Sequence, residues 1–426
     1  MVQETMVDSI PVVMKWAGAV STRPSLEAAV TEVVEKAQAR LQTAPTLGFI
    51  FISSTFVSEY PRLMLLLQEK LPQVPLLGCG GRGVIGMSNP ETAREIEDDI
   101  AISLTLATLP DVHAQLFHVE TDTLPDLDSP PQAWVDLIGV PVESQSQFVI
   151  LVDPMSGGIN DLLAGLDYAY PGCPKVGGLA SNGMGSSSGG LFCGQHYYRS
   201  GVVGVALSGN LVLDTIVAQG CRPIGRPYWI TESDRNIIFE MRSDGEDSSN
   251  DSPLDLLREM VQRDLNPIDQ DLAKQSLFVG IAQNAFKQPL ESGDFLIRNL
   301  LGFDPRNGAL AIGDRIRTGQ RIQFHLRDAK ASADDLDTLL QRYRHETFGQ
   351  PAPAGALLFS CLGRGMDLYG RSDFDSGLFA EYMSGTVPLG GVFCNGEIGP
   401  VGSTTFLHGY TSVFGIFRPK VISRAP

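Results

Sequence analysis

Cys361 and Arg364 follow one apolar run, Cys394, Asn395 and Glu397 follow another, and His408 comes shortly afterwards. A thiol with an imidazole and a carboxylate in reach is the set a cysteine nucleophile needs, so Cys361 or Cys394 with His408 and Glu397 would suit covalent catalysis. The same residues suit a second role, a polar binding pocket closed by Arg364, Asn395 and Glu397. A third role is structural: cysteines at strand ends are commonly buried packing groups, Glu397 caps backbone amides and pairs with an arginine, and His408 holds a fold-internal hydrogen bond. Residue types alone leave the three open, and no position is assigned as catalytic. Metal chemistry is not expected, because the histidines are scattered with no HExxH pattern and no CxxC pair occurs.

The elements that must position these groups repeat. Leu47–Ser53 is a short unbroken apolar run, which fits a strand covered on both faces. A helix follows over 61–71, then a second strand at 74–78, a glycine-rich stretch with Gly78, Gly80 and Gly81, and a closing strand at 99–107. The order returns with the strand 148–152, a helix over 159–170, Gly177, Gly178 and Gly183, and a strand at 202–207. It returns again with Gly355–Cys361, a helix over 375–383, Gly390, Gly391 and Gly396, and a strand at 411–417. Counting 24 positions from Ser54 to Gly78, 24 from Asp153 to Gly177 and 30 from Ser360 to Gly390 sets the register of the copies. The expected fold is α/β, with mixed sheets built from repeated strand–helix–strand–glycine turn–strand units. Glycines beyond an apolar strand permit close backbone or ligand approach, and ligands of α/β sheets bind past the carboxyl ends of strands. None of the three turns is a nucleotide fingerprint and there is no GxxxxGK[ST], so no cofactor is expected.

Composition narrows the function classes. The 426 residues carry 32 Lys and Arg against 49 Asp and Glu, a net charge of −17. Without a Lys/Arg-rich run, that balance argues against nucleic acid and anionic membrane as partners. No run of 18 apolar residues is present and the first 25 residues lack a secretory signal, so a cytoplasmic protein without membrane insertion is expected. The six cysteines are spaced as free thiols. Between the second and third copies, 243–255 reads as an acidic loop and 278–326 as further strands.

The stretches Gly355–Gly365, Val387–Pro400 and Thr405–Thr411 resemble the C-terminal half of the FIST family, the F-box and intracellular signal transduction proteins. Gly18–Thr22, Pro75–Cys79 and Gly177–Ala180 resemble its N-terminal half more weakly, and the likeness spans about 14–418. It implies two domains, here 14–215 and 216–420, with Cys361, Arg364, Cys394, Asn395, Glu397 and His408 as signature positions and no family-wide catalytic residues to carry over. It also implies a sensory module that binds a small molecule, an amino acid or related metabolite, and signals through a separate protein partner, since no attached output domain is expected. A cysteine enzyme and a pure protein-interaction adaptor stand as the alternatives.

Overall fold

The computed structural model describes residues 13–181, 190–243, 249–385 and 387–421. Gly183 and part of the acidic 243–255 loop lie outside these residues. The repeated unit forms three six-stranded sheets of matching order. In the first, Lys15–Ser21, Ile102–Thr108, Leu47–Ser53 and Leu76–Gly81 lie side by side. Val112–Val119, Val202–Gly209, Gln147–Val152 and Lys175–Leu179 repeat that order in the second, and Val212–Ala218, Ser412–Arg418, Gly355–Cys361 and Leu389–Cys394 repeat it in the third. Each sheet has one parallel pair, linked by a helical crossover.

The last two strands of every sheet come from another unit. The first unit places Gly83–Met87 and Ala93–Glu97 in the third sheet. The second places Leu191–Gly194 and His196–Tyr198 in the first, and the third places Glu397–Val401 and Thr404–His408 in the second. The three units thus close a ring. Inward-facing side chains of all three sheets meet in one core, with Phe49, Phe51 and Leu77 packed among Val149, Leu151 and Val176 and among Leu357, Phe359 and Val392. The outer faces are covered by helix pairs: Leu26–Leu41 with Tyr60–Lys70, Pro131–Ile138 with Ile159–Ala169, and Ala329–Glu346 with Phe374–Tyr382. Double coverage is why the parallel strands read as unbroken apolar runs.

Most of the expected glycines sit inside strands, where the sequence pattern suggested turns. Gly78, Gly80 and Gly81 belong to Leu76–Gly81, Gly177 and Gly178 to Lys175–Leu179, and Gly390 and Gly391 to Leu389–Cys394; Gly396 alone lies in a turn. A Cβ on Gly78 or Gly177 would lie 1.7 Å from the carbonyl oxygen of Ile50 or Ile150, and one on Gly391 would lie 2.0 Å from that of Leu358. These three pairs are also ladder partners, so they fix the true register of the units. The matching glycine of the third copy is therefore Gly391, and Gly390, on which the residue count rested, pairs with Leu357.

Between 221 and 327 the chain leaves the third unit and builds a closed six-stranded barrel of Cys221–Asp234, Ile237–Ser243, Leu310–Ile312, Phe295–Phe303, Leu277–Ala282 and Arg321–Arg327. It has its own core around Tyr228, Phe324, Leu310 and Ile322. The expected domain boundary at 215/216 falls within the strand Val212–Ala218. Among the described residues no helix is long and apolar enough to cross a membrane.

Candidate functional site

Strand ends set the site. Ser53, Asp153 and Cys361 hold equivalent places, each donating its N–H to the carbonyl that leads into the closing strand, at Ala101, Gly201 and Thr411. The amide of that facing residue needs an acceptor in every copy. Ser53 Oγ supplies it to Ala101 at 3.0 Å and Ser156 Oγ to Gly201 at 2.8 Å. In the third copy a thiol stands where Ser53 stands in the first, and the carboxylate of Glu397 accepts from Thr411 at 3.1 Å.

Glu397 is the anomaly of the ring. The ladders pair Glu397 with Gly178, Leu191 with Cys79 and Val84 with Val392, which makes Glu397 the counterpart of Leu191 and Val84, two members of the shared core. It is 0% exposed, and its Oε1 has no hydrogen-bond partner among the described residues. Burial pushes the carboxyl up to about 8, against the pull of the Thr411 amide and the Arg364 charge.

Cys361 lies beside it, 9% exposed, with Sγ accepting from the Tyr410 N–H at 3.2 Å. Tyr410 has φ +62, a left-handed conformation unusual for an aromatic residue, and this turns the consecutive amides of Tyr410 and Thr411 toward the thiol and the carboxylate. Burial, with the Glu397 charge, pushes the Cys361 thiol up to about 12. Cys394 is Cys361's ladder partner and is fully buried, with its thiol pushed up for the same two reasons. Such thiols are poor nucleophiles at neutral pH.

Arg364 is 0% exposed. Its Nε and Nη2 donate to the two oxygens of Asp375 at 2.8 and 3.0 Å, and Nη1 has no partner among the described residues. Burial works against the charge, yet the Asp375 carboxylate holds the guanidinium above its ordinary range. Asp375 also accepts from Ser412, Ser360 and Tyr369. The arginine therefore pairs with Asp375, and Glu397 has no ion pair among the described residues. Asn395 is exposed at the turn, its N–H given to Leu179 at 3.0 Å. His408 is opposite Glu397 in the ladder, 4% exposed, with Nε2 bonded to the Gly399 carbonyl at 3.0 Å, and burial holds its imidazole down to about 4.

Several residues join this cluster that the sequence pattern did not single out. Arg327, the last residue of the barrel, donates through Nη2 to the Gly363 carbonyl and stacks over the Tyr410 ring at 4.8 Å. Its Nε is sealed from solvent without a partner among the described residues. From the first unit's exchanged hairpin, Glu95 accepts from the Ser376 N–H at 2.7 Å and Glu97 from the Met366 N–H at 3.0 Å, which steadies the segment carrying Arg364 and Asp375. Only a fold that crosses units brings them here, so no local spacing could reveal them. A cavity of about 780 Å³ lies elsewhere, between the helix Ile159–Ala169, the barrel residues Arg298 and Arg315, and Thr404–Phe406. Among the described residues no His, Cys, Asp and Glu group is arranged to hold a metal ion.

The FIST N domain matches residues 46–243 and the FIST C domain residues 253–400. An uncharacterized protein of Mycobacterium tuberculosis is 33% identical over 399 residues, covering 93% of this chain and 98% of the relative. One of Mycobacterium bovis is 31% identical over 399 residues, covering 93% and 97%. An F-box/LRR-repeat protein of Arabidopsis thaliana is 31% identical over 138 residues, 28% of this chain and 26% of the relative. Among solved structures, cyanuric acid hydrolase from A. caulinodans aligns over 96% of this chain and 100% of its own at 9% identity, with a TM-score of 0.35. With both domains in order and full-length relatives at this identity, the chain belongs to the FIST family of signalling and sensory modules.

Proposed function

We propose that this chain is a cytoplasmic small-molecule sensor whose ligand, an amino acid or related metabolite, binds at the Cys361–Arg364–Glu397 cluster and whose occupancy is read by a separate protein partner. The observation that carries the reading is Glu397 itself. A carboxyl in a core position that its two counterparts fill with Leu191 and Val84 costs stability, and its unspent Oε1 is the group a ligand ammonium or hydroxyl would satisfy. The unpartnered Nη1 of Arg364 offers a complementary donor to a ligand carboxylate. Cys361 and Cys394 act as packing and lining groups in this reading, since their raised thiol pKa values disfavour nucleophilic catalysis. Six free cysteines fit a reducing compartment.

The test is a melting-temperature screen of the amino acids and their metabolites against the wild-type chain and Glu397→Gln. Glu397→Gln keeps an oxygen for the Thr411 amide, so the variant stays folded and loses ligand-dependent stabilisation. A screen that shifts nothing in the wild type overturns the sensor, and rapid stoichiometric alkylation of Cys361 at neutral pH would favour the enzyme in its place.

A further inference from the structure

The barrel is one continuous segment, so the chain passes between it and the ring only twice. The two crossings are neighbours, because Cys221 and Arg327 are ladder partners. The incoming crossing is Gln219 and Gly220, and Gly220 has φ +67. Its amide donates to Asp335 at 2.9 Å and its carbonyl accepts from Ser332 Oγ at 2.9 Å. A Cβ there would stand 2.9 Å from Arg364 Nη1, so the neck lies directly against the unpartnered end of that guanidinium. The outgoing crossing is Arg327 and Asp328. Arg327 has no ion-pair partner among the described residues, and burial, followed by the like charge of Arg364, holds its guanidinium below its ordinary range. Arg327, half-buried, and Arg364, fully buried, stand one on each side of the seam, and each retains one sealed N–H without a partner among the described residues: Nε of Arg327 and Nη1 of Arg364. A buried N–H without an acceptor is costly, and a second like charge in electrostatic reach adds to the cost.

We propose that Arg327 is a ligand-holding residue, and that a carboxylate clamped between Arg327 and Arg364 locks the barrel against the third sheet. The proposal rests on the sensor reading above and adds to it the group recognised and the part that moves. Two free N–H groups, one on each guanidinium, suit the two oxygens of a carboxylate. Among the described residues, barrel and ring also meet near the neck through Gln219 with the Phe295 carbonyl and the Ile297 amide, the Arg222–Asp328 ion pair at 3.5 Å, Phe278 against Tyr410 at 5.0 Å, and Arg298 with the Leu407 carbonyl. A ligand that supplies the missing negative charge at the neck shifts the barrel toward its docked position, which is a hinge closure with the ligand as latch.

Hydrogen exchange and melting temperature of the full chain in sodium acetate, against sodium chloride and sodium phosphate at equal ionic strength, test this. Acetate is expected to raise the melting temperature and slow exchange of the amides at 219–221 and 327–328. Arg327→Gln should weaken the acetate response at least about tenfold, and Arg327→Lys should recover part of it. Equal acetate responses in wild type and Arg327→Gln overturn the clamp, as does a response to phosphate alone. If Arg327→Gln does not fold, the wild-type neck decides: unchanged exchange in acetate overturns the proposal. Amino acids that stabilise through Glu397 while acetate leaves the neck untouched would sink the clamp and leave the sensor standing, whereas a silent amino-acid screen sinks the sensor itself.

Discussion

Glu397 and Glu95 are buried carboxyls whose surroundings push both up to about 8, burial being the main cause and, for Glu95, the Asp375 charge the next. Each binds a proton more tightly in the folded chain than in the unfolded one, so its contribution is fully present below the ordinary carboxyl range and is lost as pH rises toward 8. His408 and His325 act in the opposite sense: burial holds both down to about 4, so their contribution is full above 6.5 and fades as pH falls. The two effects oppose each other between about 4.5 and 6.5. From pH 6.5 to 8 only the carboxyls titrate, and stability should fall by at most about 1.4 kcal/mol per pH unit for each. Urea midpoints across that window will measure it, and Glu397→Gln and Glu95→Gln should each flatten the slope. A midpoint that rises with pH there would contradict the account. Glu397 and His408 stood out in the sequence because charged and imidazole groups so close to apolar runs are unusual. Glu95 and Arg327 gave no such sign, since each looks like an ordinary charged residue until a strand from another unit, or the barrel's return, buries it.

Strands and helices were largely legible because their apolar patterns are forced by coverage on both faces. The helix Leu26–Leu41 begins after Ser25, whose side chain accepts from the Ala28 amide, and its buried face is Leu26, Ala29, Val30, Val33, Val34, Ala37 and Leu41, the three- and four-residue spacing of one helix face. The glycines were legible as special but not as strand residues, because the reason for them is the carbonyl of a neighbouring strand rather than a turn. That reason is testable at one position. Gly391→Ala should cost about 3 kcal/mol or more, since the new methyl would collide with rigid backbone, whereas Gly157→Ala, with nothing within 4 Å, should stay within about 0.5 kcal/mol. Equal denaturation midpoints for the two variants would refute the packing argument. The barrel strands 278–282, 295–298 and 322–326 were visible singly, but closure depends on pairings such as Cys221 with Arg327 that no local window contains.

At the scale of the molecule, the exchange of hairpins was hidden because Gly83–Met87 and Ala93–Glu97 read as a loop of their own unit while serving the third sheet. The two family domains are for that reason not separable bodies. Fragments 1–243 and 249–426 expressed apart should fail to give soluble folded protein, and co-expression should recover a complex; a well-dispersed NMR spectrum from either fragment alone would contradict this. The exchange also bears on how the chain is made. The second sheet cannot finish until Glu397–His408 has been synthesised, so during translation Lys175–Leu179 offers an unpaired edge for about half of the chain's length. A nascent chain of this kind needs protection on the ribosome, and truncations that stop short of residue 397 should draw chaperones or aggregate even though every strand of the first two units is already present.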